Sequence, residues 1–130
     1  MADLRENAIS LLSTTTGIDA KVVATTELYS VPVGKTFVPM FVVIRVTAFT
    51  AGAKGVQAVA SFGGNGATYD DFLNTVTYTV ANADYFQIDR PADATEVAVQ
   101  AAGDSFRISI ETGSDATTET WAVDVFGYLV

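Results

Sequence analysis

Several short patterns in the sequence resemble known chemistry, and each fails on its surroundings. Gly34-Lys35-Thr36 ends like a phosphate-binding loop. The glycine that should open that loop is Tyr29, Val31 and Pro32 fill its interior, and a strand pattern follows instead of a helix. A phosphate cradle needs converging backbone N–H groups and a helix N-terminus. The run Gly63-Gly64-Asn65-Gly66 lacks both the spacing and the strand–helix context of a dinucleotide turn and reads as a loop tip. Asp70 and Asp71 are adjacent carboxylates, but neighbouring side chains diverge on either a strand or a helix, so shared acid–base work is not expected. Asp89, Asp93, Asp104 and Asp115 fall in turn-like segments, where Asp bonds its own backbone. No DxDxDG run marks a calcium loop. Tyr69, Phe72, Tyr78, Tyr85, Phe86 and Trp121 supply rings for a sugar platform. Their alternative use is core packing or a subunit contact, where aromatics are enriched.

What is missing narrows function further. The 130 residues contain no His and no Cys. That excludes Ser-His-Asp triads, thiol nucleophiles, disulfides and zinc sites built on His or Cys. Fifteen acidic residues against seven basic ones leave a net charge of −8, which opposes binding to a phosphate backbone. No enzyme, cofactor, metal or nucleic-acid partner is expected. The acidity is uneven, because residues 1–65 carry +1 and residues 66–130 carry −9. The N-terminus has charges of both signs and no apolar stretch after them, so no secretory signal is read. The longest apolar run, residues 38–44, contains Pro39 and is far below the roughly 20 residues of a membrane helix. A soluble product of a cytoplasm, with no membrane partner, is the expectation.

The elements that would carry these groups are strands. Val, Thr and Ile together supply 40 residues, whereas Leu supplies 6. β-branched side chains suit a pleated, half-buried surface. Runs at residues 21–30, 36–49, 56–62, 75–80, 85–88, 96–101, 105–111 and 118–130 alternate or stay apolar and are separated by turn residues. Val76, Tyr78 and Val80, then Phe106, Ile108 and Ile110, then Trp121, Val123 and Val125 form the expected inward sets. The reading is all-β: an antiparallel β-sandwich of about eight strands, a jelly roll. One domain is expected over residues 21–130. Residues 1–20 are read as an arm, because Leu4, Ala8, Leu11 and Leu12 fall at helical spacing with Asp3 as cap. Its apolar stripe would dock on its own domain or on a neighbour.

Residues 36–49 are too apolar for a strand with one wet face. Simple alternation puts Phe37, Pro39, Phe41, Val43, Arg45, Thr47 and Phe49 on one side and Val38, Met40, Val42, Ile44, Val46 and Ala48 on the other. Such a strand is covered on both sides. The expected contact with another chain therefore comprises Phe37, Phe41, Val43 and Phe49 with Leu4, Leu11 and Leu12.

The segment Leu28-Tyr29-Ser30-Val31-Pro32-Val33-Gly34-Lys35-Thr36-Phe37 resembles a strand–turn–strand pattern, LYxVPxGK, of small virion proteins of tailed bacteriophages. The resemblance spans about residues 22–48. It implies a β-sandwich subunit of a phage particle, made in the host cytoplasm and without an active site. A capsid decoration (cement) protein that reinforces the shell is the first expectation. Its partners would be copies of itself, as a homotrimer, and the major capsid protein or another virion protein. The alternative is a carbohydrate-binding or adhesive module of a fibre, which would expose Tyr69, Tyr85 or Phe86 beside loop carboxylates.

Overall fold

Strands form at seven of the eight runs read from the sequence, and one more forms at residues 10–19. The computed structural model describes residues 8–91 and 100–130. In chain order the strands are β1 Ser10–Asp19, β2 Ala24–Ser30, β3 Phe37–Thr50, β4 Ala58–Gly63, β5 Leu73–Tyr78, β6 Phe86–Asp89, β7 Ser105–Thr112 and β8 Thr118–Leu129. They make two four-stranded sheets, in the orders β1-β8-β3-β6 and β2-β7-β4-β5. β1 pairs with β8, β2 with β7, β3 with β6 and β4 with β5, all antiparallel. These nested pairs are a long hairpin rolled across two sheets, which is the jelly roll that the strand spacing predicts.

One expectation needs correction. The helix expected from Leu4 to Leu12 does not hold where the residues are described: Leu11 and Leu12 belong to β1, an edge strand paired with β8 from Ser10↔Gly127 to Asp19↔Thr120. A helix of about ten residues is marginal by itself. Here Leu12-Ser13-Thr14-Thr15-Thr16 is a good strand sequence beside an available partner, so the sheet wins. Leu4 and Asp3 lie outside the described residues, as do Val97 and Val99 of the run at 96–101. Gln100 bridges to Phe37, with backbone N–H···O distances of 2.8 and 2.9 Å.

The core lies between the sheets. Phe106, Ile108 and Ile110 of β7 and Trp121, Val123 and Val125 of β8 are buried in it, as their alternation predicts. Tyr78 meets Trp121 edge-on at 5.0 Å, and Phe37 meets both Tyr29 and Phe106 edge-on at 5.1 and 5.5 Å. Gly127 makes room for Phe37, since a Cβ there would stand 2.7 Å from its ring and 2.3 Å from the Val38 carbonyl oxygen.

β3 is where simple alternation breaks down. Its pairing with β8 shifts between Pro39 and Phe41 and again between Val46 and Ala48. Each extra residue reverses which side chains point inward. Phe37 and Pro39 face the core before the first shift. Val42, Ile44 and Val46 face it between the two, and Phe49 packs against it after the second.

Candidate functional site

The two sheets present very different outer faces. Residues directly opposite each other in a ladder share a face. On the β2-β7-β4-β5 sheet such pairs are Thr25 with Ser109 and Glu27 with Arg107, while Ser61, opposite Ser109, is buried and accepts from the Thr75 N–H at 2.9 Å. Those two pairs are hydroxyls and charges suited to water. The Arg107 guanidinium also lies 5.5 Å from the centre of the Tyr69 ring.

The outer face of the β1-β8-β3-β6 sheet is apolar and aromatic. One row joins Leu11, Phe126 and Phe41 across β1, β8 and β3. The next joins Thr14, Asp124, Val43 and Ile88. A third joins Ala122, Arg45 and Phe86. Phe41 and Phe126 stack with ring centres 4.6 Å apart and planes 12° from parallel. Leu11, Phe86 and Ile88 are 49%, 66% and 58% exposed. Single exposed apolar residues are ordinary, but a contiguous set on one face makes that face a candidate contact surface.

The charges in these rows cancel. Arg45 grips Asp124 in a two-pronged pair, Nε to Oδ2 at 2.9 Å and Nη2 to Oδ1 at 3.0 Å. The Thr14 hydroxyl donates to the same carboxylate at 2.8 Å. Partial burial pushes the Asp124 pKa up, but the bonds from Arg45 and Thr14 outweigh that and hold it below the usual carboxylate range. The face thus offers a neutral, pre-paired centre within apolar surroundings, on a chain of net charge −8.

The expected contact residues divide accordingly. Phe41, Val43 and Leu11 lie together on this face. Leu12, on the bulge between Leu11 and Ser13, packs toward the core. Phe37 is 0% exposed and occupied entirely within its own core. Phe49 packs on the core near one end of the sandwich. Leu4 is outside the described residues. Phe126 and Ile88 were not in the expected set, and Phe86 was read as a sugar-platform ring with a subunit contact as its other use. The alternation Phe86-Gln87-Ile88-Asp89 held the signal, but period two groups residues without saying which group faces water.

The rings proposed for a sugar platform do not assemble. Phe86 stands on the aromatic face, Tyr69 stacks beside Arg107 on the other sheet, and Tyr85 packs on the core with its hydroxyl bonded to Gln87. Asp70 is held by the side chains of Asn65 and Thr68, which lower its pKa. The Asp71 carboxylate accepts from the Gly64 N–H at 2.8 Å and from the Gln100 side chain at 3.3 Å. These acids therefore organise their own loop. Among the described residues no group of three or more acidic side chains could hold a metal ion.

No protein family matches the sequence, and neither does any curated protein. The fold is shared with solved structures. One match is a chain of the acidic stable capsid structure of the Helicobacter pylori bacteriophage KHP30, with a TM-score of 0.57 and 11% identity over 95% of each chain. Another belongs to the capsid asymmetric unit of the cyanophage Pam1, with a TM-score of 0.56 and 12% identity over 98% of this chain and 89% of that one.

Proposed function

We propose that this chain is a non-enzymatic structural protein of a bacteriophage virion, a capsid decoration (cement) protein that reinforces the shell as a symmetric oligomer. The observation that carries the reading is the contrast between faces. One sheet is hydroxylic and charged, while the other exposes a neutral aromatic surface centred on Phe41, Phe126, Val43 and Phe86. A decoration protein needs such asymmetry, with one side to bury and another to show water. Repeating one contact by symmetry gives many bonds from a single surface. The acidic remainder would keep a crowded lattice soluble. Fold likeness to chains of two phage capsid structures supports a virion setting, and the LYxVPxGK segment supports it from sequence. The partners are copies of this chain, as a homotrimer, and the major capsid protein.

The test is reconstitution. Purified protein should have the mass of a trimer in solution and should bind shells that lack it, raising the temperature at which they break. A strictly monomeric protein that leaves such shells unbound would overturn the proposal. Specific retention on a glycan array without shell binding would favour a fibre module.

A further inference from the structure

A second surface lies at one end of the sandwich, away from the aromatic face. There the β1–β2, β3–β4, β5–β6 and β7–β8 turns meet and are cross-braced. The Ser114 N–H donates to the Ala20 carbonyl at 2.9 Å. The Asp115 carboxylate accepts from the backbone N–H groups of Lys54 and Val56 at 2.7 and 2.9 Å. The Gln57 side-chain oxygen accepts from the Val80 N–H at 3.1 Å. Gly52 permits the closest approach, since a Cβ there would stand 2.1 Å from the Asp115 carbonyl oxygen.

These turns enclose a cavity of about 160 Å³. Phe49, Val56, Val80 and Ala116 give it apolar walls, and Glu119 also lines it. Glu119 is 1% exposed. Its Oε2 accepts from the Trp121 ring N–H at 2.9 Å. Its Oε1 forms no well-aligned hydrogen bond, with the Ser114 hydroxyl as a near neighbour. No Lys or Arg among the described residues forms an ion pair with it. A buried carboxylate without a counter-ion is costly. The Asp115 carboxylate is already engaged by two N–H groups, so the site lacks the six or more oxygens that a hard metal ion takes.

We propose that this cavity receives a lysine or arginine side chain of a protein partner, with Glu119 as its counter-ion. The space suits one side chain. The apolar walls suit its methylene stem, and the carboxylate suits its charged head. Because the turns are already braced, little ordering cost falls on binding. The assignment rests on this cavity alone and does not depend on the virion reading.

Methyl NMR of the full chain, titrated with N-acetyl-lysine amide and N-acetyl-arginine amide, tests it. Saturable shifts are expected at Val56, Val80 and Ala116, and none with the neutral N-acetyl-norleucine amide. Glu119→Gln should weaken binding about tenfold or more, a loss of about 1.4 kcal/mol. Ala81→Leu, at an exposed position of the cavity lining, should block binding with the fold intact, and decides the matter if the Glu119 variant does not fold. Absence of saturable shifts, equal binding of the norleucine probe, or unweakened binding by a folded Glu119→Gln or Ala81→Leu would overturn the assignment. Binding of free butylammonium without either capped residue would also overturn it, in favour of a small-amine site.

Discussion

Phe37 and Phe41 are four residues apart on one strand, yet they should fail in opposite ways when replaced. Phe37 is 0% exposed and contacts the rings of Tyr29 and Phe106. Phe37→Ala removes a full aromatic side chain from a packed core, which costs about 3–5 kcal/mol. That is a large share of the roughly 5–15 kcal/mol that holds a domain together. With an unfolding entropy of about 2.1 cal/mol/K per residue, such a loss should lower the melting temperature by about 10–20 °C. Phe41 instead stacks on Phe126 at the surface. Phe41→Ser should cost the fold only about 1–2 kcal/mol, the stacking term plus a partial loss of burial. It should nevertheless weaken self-association or shell binding about tenfold or more, the effect of losing a central aromatic contact. Thermal melts followed by Trp121 fluorescence, paired with mass measurement in solution, read both effects. If Phe41→Ser melts like Phe37→Ala, or Phe37→Ala stays stable while association collapses, the reversal of phase at the Pro39–Phe41 bulge is wrong and so is the contact face.

Three further outcomes follow from the charges and turns. Arg45→Ala should cost less than about 1 kcal/mol, because the Arg45 side chain is 43% exposed. It should also flatten the acid limb of the stability profile. Asp124 titrates below its usual value when folded, so its contribution is present above the ordinary carboxylate range and is lost as pH falls through the lowered value; urea melts across acidic pH check this. Glu119 has the opposite sign. Burial pushes its pKa up despite the bond from Trp121 and the nearby Ser114 hydroxyl, so stability should fall as pH rises from the ordinary glutamate value through the raised one. Glu119→Gln should remove that slope in the same melts. Asn65→Ala should cost about 1–2 kcal/mol by denaturant melting, because its side chain accepts from the Asp70 and Asp71 N–H groups at 2.8 and 3.2 Å and donates to Thr68 and Asp70.

Much of the architecture was legible in residue types and spacing. The wealth of Val, Thr and Ile dictates strands, and the turn residues cut them into lengths that roll into two sheets. Alternation in β5, β7 and β8 identifies Tyr78, Phe106, Ile108, Ile110, Trp121, Val123 and Val125 as core, because period two is preserved wherever a strand is unbroken. The excess of apolar residues in β3 also told correctly that both of its faces carry them. Leu11 and Leu12 misled because with Leu4 and Ala8 they satisfy a helical spacing, while the residues that follow them prefer a strand. Whether β8 would stand beside them is not a local property.

The tertiary structure decided everything that depends on phase and on neighbours. Pro39 signals an edge or a bulge, but the sequence does not say which; the bulge adds one residue beside it and moves Phe41 and Val43 to the outer face while Phe37 stays in the core. Leu11, Phe126 and Phe41 are far apart in sequence and become one row only because β8 lies between β1 and β3. Glu119 reads as one of 15 acids until four turns close around it and leave it 1% exposed. The physical reason is common to all three. Local propensity specifies which elements form, but which face meets water is set by the elements packed alongside.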